Sequence, residues 1–515
     1  MLKIILLVFI AILVFSAELF AQSDAVKIAI SDKFSGLDTL TTTSPDAAAD
    51  RIRTLLYNSL VTKNDNFEYV GELAKEIKID YSNLTITFVL NENIKFHNGK
   101  TLTSADAKYT LDALFKSNGY KASTFFDTVY NKTQPHILSI EMPDSNTLII
   151  KVRRFELLYQ TLSNLVAIPI IPEGSLELQN STPIGTGAFK FVKFDKAGNS
   201  VELEANQNYW QGSPKFKRLI IKTVSDADAL QAELLTGQID IAANPTNISA
   251  DTFDESAKNP NLQVIESEGS NIRYIAFNVK AKNVKNVKLR QAIAYAIDRE
   301  KIINELIKGQ AKIAYSVLPE QSWAYSANIK YEFNPIKAKK LLKESGYKGQ
   351  PISFKISSGN QAVSQYSQVI QQMLKDVGIK VEIETLELNT LLDQLKQGKF
   401  QMTIAQWAGG NQDPIFLRDL FQTKESPDVK PGGRNRSRYS NSEFDKIIES
   451  ATTAKDKAEV KEFYAKAQMM VARDLPYITL WYQKNMVIAN KRIGNIKINA
   501  SGDWSFVKNL TLVQN

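Results

Sequence analysis

Trp407-Ala408-Gly409-Gly410 closes the run MTIAQW (402–407), and these residue types suit binding better than bond-breaking. An indole offers a broad apolar wall, and small residues leave backbone N–H and C=O groups open to a ligand. In open α/β sheets ligands sit outside the carboxyl ends of the strands, which is where these four residues fall if MTIAQW is a strand. The plainer alternative is a core tryptophan followed by a turn; two glycines after a buried strand favour binding. Patterns that would carry catalysis are incomplete. Asn98-Gly99-Lys100-Thr101 contains the GKT of a phosphate loop, but Ile94 stands where its leading glycine must be. Gly185-Thr186-Gly187 lacks a third glycine at Lys190 and runs into a strand instead of a helix. His97 and His136 are the only histidines, widely separated and without an acidic cluster, so a histidine-rich metal centre is excluded. No G-x-S-x-G elbow and no H-E-x-x-H is present. His97, beside a strand-to-helix turn, suits a structural hydrogen-bonding role. With 55 acidic residues some carboxylate pair always remains open. No catalytic residue, metal ligand or cofactor is assigned.

The elements around the tryptophan follow a regular alternation. Asn334-Pro335 reads as an N-cap with proline in the first turn, and Gly346 ends that helix. ISFKIS (352–357) is then a strand, Ala362 to Asp376 a helix, and IKVEIETL (379–386) a strand. Asn389 to Lys396 is a helix, and 402–407 the strand that ends at Trp407. This order predicts a mostly parallel α/β sheet. Earlier, VKIAI (26–30) reads as a strand and Leu84 to Leu90 alternates with period two. Thr103 with Asp106 marks a helix start, and TPIGTGAFKF (182–191) a glycine turn entering a strand. Gly198 marks the turn of a strand pair that ends at Ala205.

At 515 residues the chain exceeds what one core supports, so two or three packed lobes are expected. Hydrophobic residues make up 43% and charged residues 23%, which places the chain among globular proteins. The formal charge of +8 is dispersed, without the basic run that a nucleic-acid partner would require. Lys3, the apolar run Ile4 to Phe15 and Leu19-Phe20-Ala21 read as a secretory leader cleaved after Ala21. With no cysteine there are no disulfides, no thiolate chemistry and no lipidated cysteine to tether the exported protein.

Several segments together resemble the peptide/nickel class of extracytoplasmic solute-binding proteins, solute-binding protein family 5. They include Gly71-Glu72-Leu73-Ala74, Lys95-Phe96-His97-Asn98-Gly99, Pro183 to Phe191, Ala205-Asn206-Gln207-Asn208-Tyr209-Trp210 and Gly237-Gln238-Ile239-Asp240-Ile241. Leu289 to Arg299 and Leu475-Pro476-Tyr477-Ile478 complete the series, whose order and spacing cover almost the whole mature chain. The resemblance implies an α/β, bilobed periplasmic-binding-protein fold with three domains. A discontinuous domain I would comprise 22–57, 182–272 and 487–515, domain II 58–181 and domain III 273–486. Strands near Arg273 to Phe277 and Tyr482 to Val487 would form the hinge. It further implies a receptor, not an enzyme, that encloses a small solute between its lobes and hands it to an inner-membrane ABC permease. The cleavable leader without a lipidation cysteine makes the periplasm the expected compartment, and a monomer is expected.

Two departures bear on the ligand. Peptide receptors of this class carry an aspartate three residues after the tryptophan matching Trp407, and it pairs with the peptide ammonium. Here that position is Gly410, and Asp413 is the nearest replacement by a loop shift. The arginine that holds a peptide carboxylate in dipeptide-binding relatives falls near Ser357, and no arginine lies between Ile352 and Gly410. The expected site is therefore Trp407, Ala408, Gly409, Gly410 and Asp413, taking a peptide-like solute. An oligosaccharide or other neutral solute is the alternative within the same fold; nickel or haem fits less well with two histidines. A secreted hydrolase and a chaperone or signalling receptor are the readings from other classes.

Overall fold

The computed structural model describes residues 24–128, 133–327, 329–358, 360–407, 409, 412–430 and 432–513. The leader expected at 1–21 lies outside them.

Alternating apolar residues build the first lobe. Val26, Ile28 and Ile30 of the strand Ala25–Ile30 enter one core while Ala29 enters another, because successive side chains point to opposite faces. This strand is central in a seven-stranded sheet, ordered Phe189–Asp195, Ser200–Ala205, Arg218–Thr223, Ala25–Ile30, Ile241–Ala243, Asn485–Asn490 and Leu262–Ser267. An antiparallel four-stranded sheet, ordered Ala74–Asp80, Thr85–Leu90, Thr147–Val152 and Ile137–Asp144, shares its core: Ile86, Phe88, Leu148 and Ile150 belong with Ile28 and Ile221. The helix Ser104–Lys116 starts with the capping box that Thr103 and Asp106 signal in the sequence.

The second lobe is built on a six-stranded sheet, ordered Ala311–Ile313, Tyr477–Gln483, Ile272–Phe277, Met402–Trp407, Ile352–Ser357 and Val381–Leu386. The strands expected from the regular alternation are present, and Ile352–Ser357 pairs in parallel with both Val381–Leu386 and Met402–Trp407. The intervening helices are Pro335–Glu344, capped by Asn334, Gln361–Asp376, capped by Asn360, and Leu388–Lys396, capped by Glu387. The whole sheet is mixed, however, not mostly parallel, because its other three pairings are antiparallel. Ile272–Phe277 enters from the first lobe and Tyr477–Gln483 returns to it, so the two start and finish at one edge and must run oppositely.

The chain passes between the large sheets twice, at residues 268–271 and at Lys484. The two passages lie side by side. Gln483 N–H donates to Asn271 O at 2.8 Å, and Asn485 Nδ2 donates to Glu268 O at 3.1 Å. A Cβ on Gly269 would stand 2.0 Å from Gln483 O, so only glycine permits this approach. The first passage therefore precedes the Arg273 to Phe277 segment read from the sequence, which lies inside the second sheet; the second falls within the expected Tyr482 to Val487.

Candidate functional site

Trp407 ends the strand Met402–Trp407 opposite Ile272, next to the first passage between lobes. Its ring meets Phe416 edge-on at 5.0 Å, and its Nε1 is buried without a hydrogen-bond partner among the described residues. Ser357, at the end of the parallel neighbour, lies on the same edge. A cavity of about 360 Å³ opens there, with Trp407, Gln406, Ser357, Arg273 and Arg436 in its wall. Arg273 Nη2 donates to Gln406 Oε1 at 2.5 Å, and its guanidinium lies 5.7 Å from the Tyr366 ring centre. The cavity thus sits at strand carboxyl ends, as the topology of such sheets leads one to expect.

Of the loop that follows, Ala408 and Gly410 lie outside the described residues. Gly409 has φ +74°, and a Cβ there would meet nothing within 4 Å. Asp413 stands away from the Trp407 cavity and lines another, of about 250 Å³, between the lobes; Tyr69, Ile77 and Tyr159 form one side, Trp323, Ile415 and Tyr464 the other. Tyr69 Oη donates to Asp413 Oδ2 across this gap, and Ile415 N–H donates to Oδ1 at 2.9 Å. Burial raises the Asp413 carboxyl above the usual carboxylate range, against the opposing pull of the Lys63 ammonium. Burial also lowers Lys63, whose Nζ donates to Gln412 Oε1 at 3.2 Å. Gln412 Nε2 in turn donates to Ser270 Oγ at 3.0 Å, tying the loop to the first passage. Lys457 pairs with Glu68, and Trp323 N–H donates to Asn66 O at 3.1 Å. These contacts hold the lobes together around the cleft. A third cavity, of about 340 Å³, adjoins Lys63 and Gln412 and contains Asn58, Ser59 and Glu72. Its half-buried Glu72 accepts from Ser59 N–H at 2.6 Å and Asn58 Nδ2 at 2.7 Å, while desolvation raises its carboxyl.

The phosphate-loop fragment proves to be a tight turn. Gly99 has φ +86°, and Lys100 Nζ pairs with the buried Asp106 carboxylate at 2.7 Å. His97 staples the Gly185–Gly187 loop: Gly185 N–H donates to Nδ1 at 3.3 Å and the ring meets Gly187 O through Nε2 at 3.1 Å. Burial pulls its pKa down to about 4. Both glycines are obligatory, since a Cβ would approach Leu56 O to 2.1 Å at Gly185 and Leu55 O to 2.4 Å at Gly187.

A model of the bacterial extracellular solute-binding proteins, family 5 (middle region), matches residues 68–427. The chain belongs to this family. Among curated family relatives, the oligopeptide-binding protein AppA of Bacillus subtilis is 28% identical over 483 residues, covering 89% of this chain and 87% of AppA. Heme-binding protein A of Haemophilus influenzae is 28% identical over 481 residues, covering 88% and 85%. The solved ABC transporter substrate-binding protein CtaP of Listeria monocytogenes superposes with a TM-score of 0.82 at 23% identity, covering 95% of this chain and 99% of CtaP. The bilobed family 5 fold and a solute-binding role follow. Several family motifs hold the fold together. Arg290 donates to the carbonyls of Val284, Lys285, Asp474 and Leu475, and Arg299 to those of Ala314, Thr479 and Tyr331. Trp210 Nε1 and Thr186 Oγ1 both donate to Asn58 Oδ1. Arg273 and Arg436 are not expected at the site from the sequence, where an arginine is looked for only between Ile352 and Gly410. No local motif marks either one.

Proposed function

We propose that this solute-binding protein captures a peptide or peptide-like solute between its lobes and delivers it to an ABC permease of the inner membrane. The observation that carries this reading is the pair of cavities that flank the Trp407–Asp413 segment. One lies at strand carboxyl ends, the other between lobes joined, among the described residues, by two passages. Relatives over nearly the whole length are named for oligopeptide and heme binding; two histidines and an aromatic wall favour the peptide-like solute. Site residues in this reading are Trp407, Ala408, Gly409, Gly410 and Asp413. Solute binding without turnover, a monomeric state and a diffusing periplasmic form complete it. In this reading domain I comprises 22–57, 182–272 and 487–515, domain II 58–181 and domain III 273–486; strand membership supports the division except at Asn485 and Met486, which belong to the seven-stranded sheet. The two adjacent passages support hinge closure on ligand.

Ligand-stripped protein is to be offered an equimolar mixture of short peptides, oligosaccharides and haem, and what stays bound identified by mass spectrometry. Retained peptide supports the reading; retained oligosaccharide or haem alone overturns it, and chemical turnover of a retained compound would reinstate the hydrolase.

A further inference from the structure

The cavity beside Trp407 has an unbalanced charge. Two guanidiniums, Arg273 and Arg436, line it, and among the described residues no aspartate or glutamate does. Other arginines on this lobe have carboxylate partners, among them Arg418 with Asp419 at 2.9 Å, Arg434 with Asp419 at 3.5 Å and Arg438 with Asp428 at 3.1 Å, while Arg290 and Arg299 are satisfied by main-chain carbonyls. Among the described residues neither Arg273 nor Arg436 has a carboxylate partner, and Arg273 has only the Gln406 amide and the Tyr366 face. Main-chain bonds fix Arg436 in place, its N–H donating to Arg434 O and its O accepting from Arg438 Nη1, both at 2.8 Å. Both arginines line the one cavity together with Tyr274, which stacks on Tyr477 at 4.5 Å. Like charges that share a cavity disfavour each other, and an anion between them removes that cost.

Apart from Ser357, Thr403, Gln406 and two tyrosines, the rest of the wall is apolar. The helix Leu388–Lys396 contributes Leu388, Leu391, Leu392 and Leu395, with Leu388 52% exposed at the surface. A guanidinium fork matches a planar carboxylate through two parallel hydrogen bonds. We propose that this cavity is an anion subsite, in which Arg273 and Arg436 bind a carboxylate of the captured solute while Trp407 and the leucine row take the apolar group beside it. The inference rests on the solute-capture reading and narrows its substrate class to carboxylate-bearing solutes. It also places the recognising charges on strand and loop segments far from Ser357 in sequence, though all three share one cavity.

The test uses ligand-stripped wild-type protein, R273Q and R436Q with two probe sets. 4-Phenylbutyrate and 4-phenylbutanamide address the cavity alone and are followed by ligand-observed NMR. An equimolar tripeptide mixture, as free acids, as C-terminal amides and as amides that contain Glu, addresses the cleft and is read by mass spectrometry. We expect wild type to prefer phenylbutyrate over its amide by about tenfold or more. Either Gln variant should lose that preference, and R273K and R436K should restore part of it. Retained free acids assign the carboxylate to a peptide terminus, and retained Glu-containing amides assign it to a side chain; either supports the subsite. Equal binding of the phenylbutyrate pair, no binding of either, or a preference that survives in both Gln variants overturns the subsite whatever peptides are retained. Acid preference with no peptide retained upholds the subsite and overturns the peptide reading. The wild-type comparison of acid with amide needs no variant to fold.

Discussion

Tyr69→Phe should weaken ligand binding by loosening the closed state of the lobes. The Tyr69 hydroxyl reaches across the cleft to the half-buried Asp413 carboxylate, whose other oxygen is satisfied within its own loop by Ile415 N–H. Removal of the hydroxyl deletes one hydrogen bond to a charged group, which contributes about 1.5–3 kcal/mol. If the bond exists only when the lobes are closed, the closed state loses that amount, and affinity falls by about tenfold to a hundredfold where the free protein is mainly open. The neighbouring Lys63–Gln412 and Lys457–Glu68 contacts remain, so closure is weakened and not abolished. Calorimetric titration with a peptide the protein retains, and with its N-acetylated form, gives the decisive comparison. Tyr69→Phe and Asp413→Asn should reduce affinity for both ligands alike, and the double variant should cost less than the sum of the two. Small-angle scattering should show a larger radius of gyration for the variants at subsaturating ligand. Affinity within twofold of wild type in Tyr69→Phe would refute the latch. A loss in Asp413→Asn confined to the free amine would show instead that Asp413 clamps a ligand ammonium.

Burial depresses the His97 pKa from its ordinary 6.5 to about 4, so the unfolded chain binds a proton that the folded chain refuses. Stability from this group is full above about pH 6.5 and lost as pH falls toward 4, by about 3 kcal/mol in all; urea unfolding of wild type against His97→Gln at pH 7 and 4.5 checks it, and identical pH profiles would refute it. Gly187→Ala drives a Cβ to 2.4 Å from Leu55 O; a loss of about 1–3 kcal/mol should appear as a lower urea midpoint, and an unchanged midpoint would show that the loop gives way. Trp407→Ala should cost about 2 kcal/mol of ligand affinity, with Trp407→Phe retaining most of it; calorimetry that finds both variants equal to wild type would place the ligand elsewhere.

Residues close in sequence announced their local structure. Thr103 and Asp106 form the capping box, and Asn334 with Pro335 opens a helix that Gly346, at φ +70°, follows. The strands 352–357 and 402–407 lie where alternation and flanking glycines place them, because caps and turns depend on residues within one turn of each other. Even His97, set apart from any acidic cluster, reads correctly as a structural group. Tertiary structure alone decided three things. Antiparallel partners for Met402–Trp407 come from a strand that enters from the other lobe, so the local alternation misjudged the sheet as mostly parallel. Asp413 meets Tyr69, and Arg273 meets Arg436 in one cavity, only after distant segments are brought together by sheet register and lobe contact. Spacing along a chain encodes which face of an element a residue occupies; it carries no record of which remote element will face it.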